Sequence, residues 1–187
     1  MTSIASDAFE ISVPQWPIDH ISNRISSNIT DFKTAKALDG GWEVWSQVEI
    51  AFELELYSSH YRTTQREQYV FSETGRKIDL WLKTRYPDEI ETMGIELKCR
   101  KKTESSNLFQ KRMRDDIMKI TRNRGPRLEF QPAWMLAVGI TDDNLDLKVW
   151  DNDLGQFYYH EVKKGGITFY IIWWESRWRN SKMTLAR

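Results

Sequence analysis

The sequence predicts an α/β (α+β) fold, a central mixed β-sheet flanked by helices. Apolar residues recur at helical spacing in three segments: residues 18–38, 42–57 and 106–121. Residues 77–83 and 93–99 alternate apolar and polar side chains, as strands with one buried face do. Residues 133–140 are continuously apolar, which is typical of a buried central strand. Helical and strand patterns thus alternate along one chain, and this order favours a layered fold.

The N-terminal part predicts an arm followed by one helix. Pro14 and Pro17 disfavour regular structure early in the chain, so residues 1–17 are expected to form an arm. The helix over 18–38 ends before Gly40 and Gly41, which supply a stop signal. Residues 18–187 are expected to form a single domain, because 187 residues suffice for one well-formed core.

The next segment, residues 42–57, can be read as a helix or a strand, and helical spacing fits better. Its predicted apolar stripe consists of Trp45, Val48, Phe52 and Leu56, and strict alternation fails twice. Glu49 lies within that stripe. Two interpretations of Glu49 remain open: a buried carboxylate that needs a partner, or a side chain at the stripe's edge that reaches water or an arginine.

The remaining segments predict strands joined by short turns. Residues 63–71 lean towards β-structure and connect to the strand at 77–83 through a turn at 73–75. The C-terminal part predicts a strand at 145–150 and a hairpin of residues 156–162 and 167–174, with Gly165 and Gly166 in its turn. The tail from Glu175 onward has no assignment.

The strands at 77–83 and 93–99 carry the residues with the clearest chemistry. If the two strands pair, alternation places Asp79, Glu96 and Lys98 on one face of the sheet. Two carboxylates and an ammonium group are what a hydrolytic site with a divalent cation needs, because the acids hold the metal and the amine orients or activates water. The alternative is an ordinary solvated sheet face, which gives the same alternation.

Charge is balanced overall but segregated along the chain. Lys plus Arg and Asp plus Glu number 27 each. Residues 39–59 hold five acids and no Lys or Arg, whereas residues 98–127 hold eleven Lys or Arg and three acids. Such segregation allows a basic groove for a polyanion on a neutral protein, although solvated faces of opposite sign would also produce it.

Composition excludes several classes of protein. One cysteine, Cys99, rules out disulfides within the chain and cysteine-based zinc clusters, and the three histidines lack ligand spacing. No secretory signal is evident, and the apolar runs are too short to cross a bilayer. We therefore expect a cytoplasmic protein without a membrane partner; the alternative is export by a route that uses no cleaved signal.

The order of elements and acids resembles the PD-(D/E)XK nuclease superfamily, whose members share a restriction-endonuclease-like fold. The resemblance covers about residues 42–140. Glu49 matches the helix glutamate of that family, Asp79 in KIDLWL its metal-binding aspartate, and Glu96 with Lys98 in IELK its Glu-x-Lys pair. Ile78 precedes Asp79 where the family name has proline. The predicted N-terminal helix and C-terminal hairpin would be additions to the family core.

The resemblance implies a Mg²⁺- or Mn²⁺-dependent nuclease, with DNA as the expected substrate. The metal ligands would be Asp79, Glu96, the Leu97 backbone carbonyl and Glu49, and Gln110 would be an accessory polar residue. Lys98 would orient or activate water. Basic residues on and around the helix at 106–121 would contact phosphates: Lys101, Lys102, Arg112, Arg114, Lys119, Arg122 and Arg124. A homodimer or larger assembly is compatible with this function. The alternative is a non-catalytic module of the same fold, such as an immunity-type protein that binds nucleic acid or another protein.

Overall fold

The structure is a computed structural model. It describes seven ranges of the chain: residues 15–38, 41–57, 61–71, 75–84, 92–122, 133–143 and 157–178. These ranges contain four helices: α1 (Trp16–Ser27), α2 (Ile29–Ala37), α3 (Trp42–Tyr57) and α4 (Ser106–Arg122). They also contain six strands: β1 (Tyr61–Gln68), β2 (Ile78–Thr84), β3 (Thr92–Cys99), β4 (Ala133–Thr141), β5 (Tyr158–Lys164) and β6 (Ile167–Trp178).

The six strands form one mixed sheet in the order β1-β2-β3-β4-β6-β5. Strands β3 and β4 run parallel, and the other neighbouring pairs run antiparallel. The parallel pair needs a crossover connection, which α4 supplies. The predicted fold class, a mixed sheet flanked by helices, is confirmed.

Two apolar layers hold the helices on opposite faces of the sheet. Alternate residues of β3, among them Ile95 and Leu97, pack with α1, α2 and α3. On the other face, Trp81, Met135 and Ala137 pack against the apolar side of α4. Because successive strand side chains point to opposite faces, β3 contributes Gly94, Glu96 and Lys98 to the α4 side.

The N-terminal segment differs in detail from its prediction. It forms two helices instead of one, with the break at Asn28, whose side-chain amide donates to the Arg24 carbonyl. Helix α1 already begins at Trp16, and Pro17 lies in its first turn, where no intrahelical N–H bond is lost. The predicted arm therefore ends earlier than residue 17, and the rest of it, residues 1–14, lies outside the described residues.

Helix α3 confirms the helical prediction, but its predicted apolar stripe is wrong. Val48, Phe52 and Leu56 are 44–56% exposed, whereas Ile50 and Leu54 are fully buried. Trp42, Ser46 and Gln47 are also buried. The helix carries apolar residues nearly all the way round, so periodicity alone could not identify the face that meets the sheet.

The C-terminal hairpin is an integral part of the sheet. Strand β6 pairs with the whole length of β4, from Ala133 opposite Trp178 to Thr141 opposite Tyr170. Gly165 and Gly166 both have positive φ, 57° and 75°, as a two-residue hairpin turn of type I′ requires. The predicted strand at 145–150 lies outside the described residues. No helix in the described ranges is long and apolar enough to cross a membrane.

A gap lies in the sheet where β2 and β3 separate, and the candidate site is located there. Their ladder runs from Lys83–Thr92 to Leu80–Ile95 and then stops. Strand β3 continues to Cys99, paired there only with β4 among the described strands. The next pair in register would be Asp79 and Glu96, so two carboxylates stand where the strands part.

Candidate active site at the open edge of β3

Two carboxylates accept hydrogen bonds from the edge of β3 with which no described strand pairs. Asp79 Oδ2 accepts a hydrogen bond of 2.7 Å from the Leu97 N–H. Glu43 Oε2, at the start of α3, accepts one of 3.0 Å from the Cys99 N–H. A strand residue points its N–H and C=O to the same side, so the Leu97 carbonyl also faces this gap. The open edge thus gathers carboxylate and carbonyl oxygens.

Lys98 lies between two helices that approach from either side of the sheet. Its Nζ is 3.2 Å from Glu43 Oε1 on α3 and 3.3 Å from Asp116 Oδ2 on α4. Burial alone would lower the pKa of Lys98, but Asp116 and Glu43 raise it above its usual range. Lys98 therefore stays protonated and acts as a fixed cation.

Glu96 is the most deeply buried acid of the group. Its exposure is 2%, and Lys119 of α4 pairs with its Oε1 atom. Burial and the nearby Asp79 carboxylate raise the pKa of Glu96 to about 8. Burial also raises the pKa of Asp79, against the opposing hydrogen bond from Leu97. Two carboxylates that both resist ionisation side by side form a site in which an added cation would be strongly favoured.

Helix α4 contributes two more cations and one further acid to the site, all from one side of the helix. Arg112 donates to Glu43 Oε2 at 2.6 Å and to Glu104 at 3.0 Å. Burial raises the pKa of Asp116 to about 6, despite the attraction of Lys98. Arg112, Asp116 and Lys119 recur at helical spacing, so they face the open edge together.

The structure brings together three of the four predicted catalytic residues, Asp79, Glu96 and Lys98. It does not bring Glu49 to them. Glu49 instead pairs with Arg24 of α1, whose Nε donates to it at 3.0 Å. Both line a cavity of about 660 Å³ among the first three helices. The sequence interpretation in which Glu49 reaches an arginine is confirmed, and its assignment to the metal site is corrected.

Glu43 is the carboxylate of α3 that reaches the open edge. On α3 it precedes Ser46, Gln47, Ile50 and Leu54 by three, four, seven and eleven positions, which is the face that is buried. Sequence reasoning missed it because the more hydrophobic stripe passes through Glu49. A search for the carboxylate on the face rich in small and amide side chains would have found it. Asp116 and Glu104 were also missed, since neither lies in a motif.

The basic residues predicted to contact nucleic acid do not form one unpaired basic surface in the described part of the chain. Arg112 and Lys119 pair with acids of the site, whereas Lys101 and Lys102 are exposed and Arg114 is half-buried. Gln110 precedes Arg112 by two residues, about 200° round the helix, so it lies away from the open edge. The Arg122 side chain and Arg124 lie outside the described residues. Trp173 and Trp174 are buried, as expected of core residues.

The oxygen ligands at the gap fit Mg²⁺, which needs few side-chain ligands, better than a metal ion that needs three or more of them. Within the described ranges, no group of three or more His, Cys, Asp or Glu residues is arranged to hold a metal ion. The gap offers two carboxylates, Asp79 and Glu96, and the Leu97 carbonyl. Mg²⁺ commonly takes one or two carboxylates and fills its remaining positions with water and substrate phosphate. The residues present therefore fit this ion.

Comparison with known proteins leaves the family open. No protein-family model, no curated protein and no solved structure matches this chain. The functional argument therefore depends on the geometry of the site.

Proposed function

We propose that the protein is a metal-dependent nuclease of the PD-(D/E)XK type that hydrolyses phosphodiester bonds, with DNA as its substrate. The observation that carries the proposal is the meeting of Asp79 and Glu96 where β2 and β3 separate, with Lys98 on the same sheet face. The order α3, β1, β2, β3, α4, β4 supports it, because the same order underlies the resemblance. The proposal includes a cytoplasmic location.

The side chains would divide the work as follows. Asp79, Glu96 and the Leu97 carbonyl would hold Mg²⁺, which supplies charge stabilisation for the attacked phosphate and lowers the pKa of bound water. Lys98 would donate to a phosphate oxygen or orient the attacking water. Its raised pKa suits a hydrogen-bond donor. Glu43 and Asp116 hold the ammonium of Lys98 in place.

Lys119 would have two positions in this scheme. It pairs with Glu96 and lies 5.5 Å from the centre of the Phe71 ring. A cation bound by Glu96 would compete with it, and the released ammonium would be available to a phosphate. The same side chain would thus stabilise the free site and contribute to substrate binding.

A second candidate function is a non-catalytic module that binds nucleic acid or another protein. One observation favours it: Asp79, Glu96, Lys98 and Arg112 all have partners within the protein. A binding module would keep these charges as a structural network. Cleavage assays separate the two candidates directly.

The test uses supercoiled plasmid and a single-stranded oligonucleotide with Mg²⁺, Mn²⁺ or EDTA. We expect cleavage with either metal and none with EDTA. Asp79→Asn and Lys98→Met should each lower the rate by about 100-fold or more, because each removes a group that stabilises the transition state. Asp115→Asn and Lys111→Met on the exposed side of α4 are matched controls.

Two results would overturn the nuclease proposal. The first is cleavage at the wild-type rate by both Asp79→Asn and Lys98→Met. The second is metal-independent DNA binding without cleavage under any condition, which would support the binding module. A crystal soaked in Mn²⁺ provides an independent check, since anomalous density is expected between Asp79 and Glu96.

A further inference from the structure

A second concave site lies at the C-terminal ends of β3 and β4, beside α2. Its volume is about 260 Å³. We call it the Lys36 pocket, and these residues line it: Lys33, Lys36, Ala37, Arg100, Lys102, Asp142 and Asp143. Four of its seven lining residues are cations and two are acids, so its formal charge favours an anion.

Two of the cations are fixed and nearly buried. Lys36 is 8% exposed, and the Arg100 side chain is 11% exposed. The position of the Arg100 side chain is fixed by a hydrogen bond of 3.0 Å that its Nε donates to the Glu104 carbonyl. Burial and the neighbouring Arg100 charge lower the pKa of Lys36 to about 8. Two cations with little water around them need an anion between them.

The acids that now neutralise these cations are on the exposed rim. Asp142 pairs with Lys36 and Asp143 pairs with Arg100, with side chains 40% and 50% exposed. Both follow β4 directly. Because the acids are already solvated, they can turn into water at little cost when another anion arrives. The buried cations stay in place, so an entering anion can take the place of the carboxylates as their partner.

The Lys36 pocket is adjacent to the candidate active site. Arg100 follows Lys98 by two residues and continues the β3 pairing, since its N–H donates to the Ile140 carbonyl at 2.9 Å. Two residues of a strand span about 7 Å. We propose that the Lys36 pocket binds a backbone phosphate of a polynucleotide next to the phosphate held at Lys98. This inference rests on the proposed function for the identity of the ligand.

The experiment measures binding of a fluorescent single-stranded oligonucleotide by anisotropy in EDTA, where the proposed cleavage cannot occur. The variants are Lys33→Ala/Lys102→Ala, which changes only exposed residues, and Lys36→Gln, whose folding is checked by circular dichroism. Lys163→Ala on β5 is exposed and serves as the control. Inorganic phosphate is titrated calorimetrically in parallel.

Loss of this one phosphate contact should weaken binding about 5-fold at 0.1 M salt, in the double variant as in Lys36→Gln. The slope of log K against log salt should fall by about 0.7 in both variants. Lys163→Ala should bind like wild type. Inorganic phosphate should compete with the oligonucleotide in wild type and fail to bind Lys36→Gln.

Oligonucleotide binding that is equal in wild type and all three variants would overturn the inference, as would an equal loss in Lys163→Ala. If inorganic phosphate binds through Lys36 while oligonucleotide affinity is unaffected, the ligand is a free phosphate compound and the polynucleotide inference fails. Binding in EDTA is independent of catalysis. If the protein binds DNA through the Lys36 pocket but does not cleave it, the nuclease proposal fails and the proposal of phosphate binding in the pocket is retained.

Discussion

Glu96→Gln tests the electrostatics of the candidate site through protein stability. Glutamine keeps the shape and the acceptor oxygen of the side chain but cannot ionise. In the native protein, burial and Asp79 raise the pKa of Glu96 from 4.5 to about 8. The native state therefore retains a proton that the unfolded chain releases above pH 4.5. Glu96 consequently makes the protein less stable as pH rises from about 4.5 to about 8.

The size of this effect follows from the same values. The rise in pKa from 4.5 to about 8 corresponds to on the order of 5 kcal/mol, at about 1.4 kcal/mol per pH unit. That is a large part of the roughly 5–15 kcal/mol that stabilises a typical domain. Wild type should lose on the order of 5 kcal/mol more than Glu96→Gln between pH 4.5 and pH 8.5. Asp116, whose pKa is about 6, adds a decline of its own in both proteins.

The assay is guanidinium unfolding in EDTA at several pH values, followed by tryptophan fluorescence. Asp115→Asn is the matched control, because this neighbouring acid is exposed and should leave the pH profile unchanged. Parallel profiles for wild type and Glu96→Gln would refute the reasoning. They would mean that Glu96 ionises normally, so that burial and Asp79 do not raise its pKa as described.

Three other predictions concern the site and its support. Glu43→Gln should lower the steady-state rate of DNA cleavage roughly 10- to 100-fold, because it removes a group that orients an active-site residue. Glu49→Gln should stay within about 2-fold of wild type. Equal losses in the two variants would contradict the assignment of Glu43. Mg²⁺ at about 100 times its Kd should raise the unfolding free energy at pH 8 by about 2.7 kcal/mol, with no gain in Glu96→Gln, as chemical denaturation can show. Gly94→Ala should destabilise the protein by about 1–3 kcal/mol, because the new methyl group would lie 2.7 Å from Met135 Cε; an unchanged denaturation midpoint would show that Met135 moves aside freely.

Much of the fold could be predicted because each element has a clear local signal. The run at 133–140 is apolar throughout because β4 lies between β3 and β6 with both faces covered. Alternation in β2 and β3 predicted a common face for Asp79, Glu96 and Lys98, since strand side chains follow the pleat wherever the strand lies. These inferences required no knowledge of how the helices pack.

The rest of the site depends on packing between distant parts of the chain. Glu43 and Glu49 lie on one helix, and the choice between them follows from which side of α3 meets the sheet. That side is set by tertiary contacts. One of them is the packing of α1 against α3, in which Arg24 forms an ion pair with Glu49. Asp116 and Arg112 likewise acquire their roles from the position of α4 over the open edge. Local periodicity does not contain this information.

The two carboxylates that bond to β3 beyond its pairing with β2 also give the protein internal spectroscopic reporters. The amides of Leu97 and Cys99 each donate to a carboxylate, from Asp79 and Glu43 respectively. Protonation of either acid, or metal binding at Asp79, would change the hydrogen bond that its amide makes. The ¹⁵N–¹H resonances of these two backbone groups would therefore follow events at the open edge one acid at a time. Asn and Gln at positions 79 and 43 would keep an acceptor for each amide, whereas Ala would leave a backbone donor unsatisfied and confuse lost chemistry with lost structure.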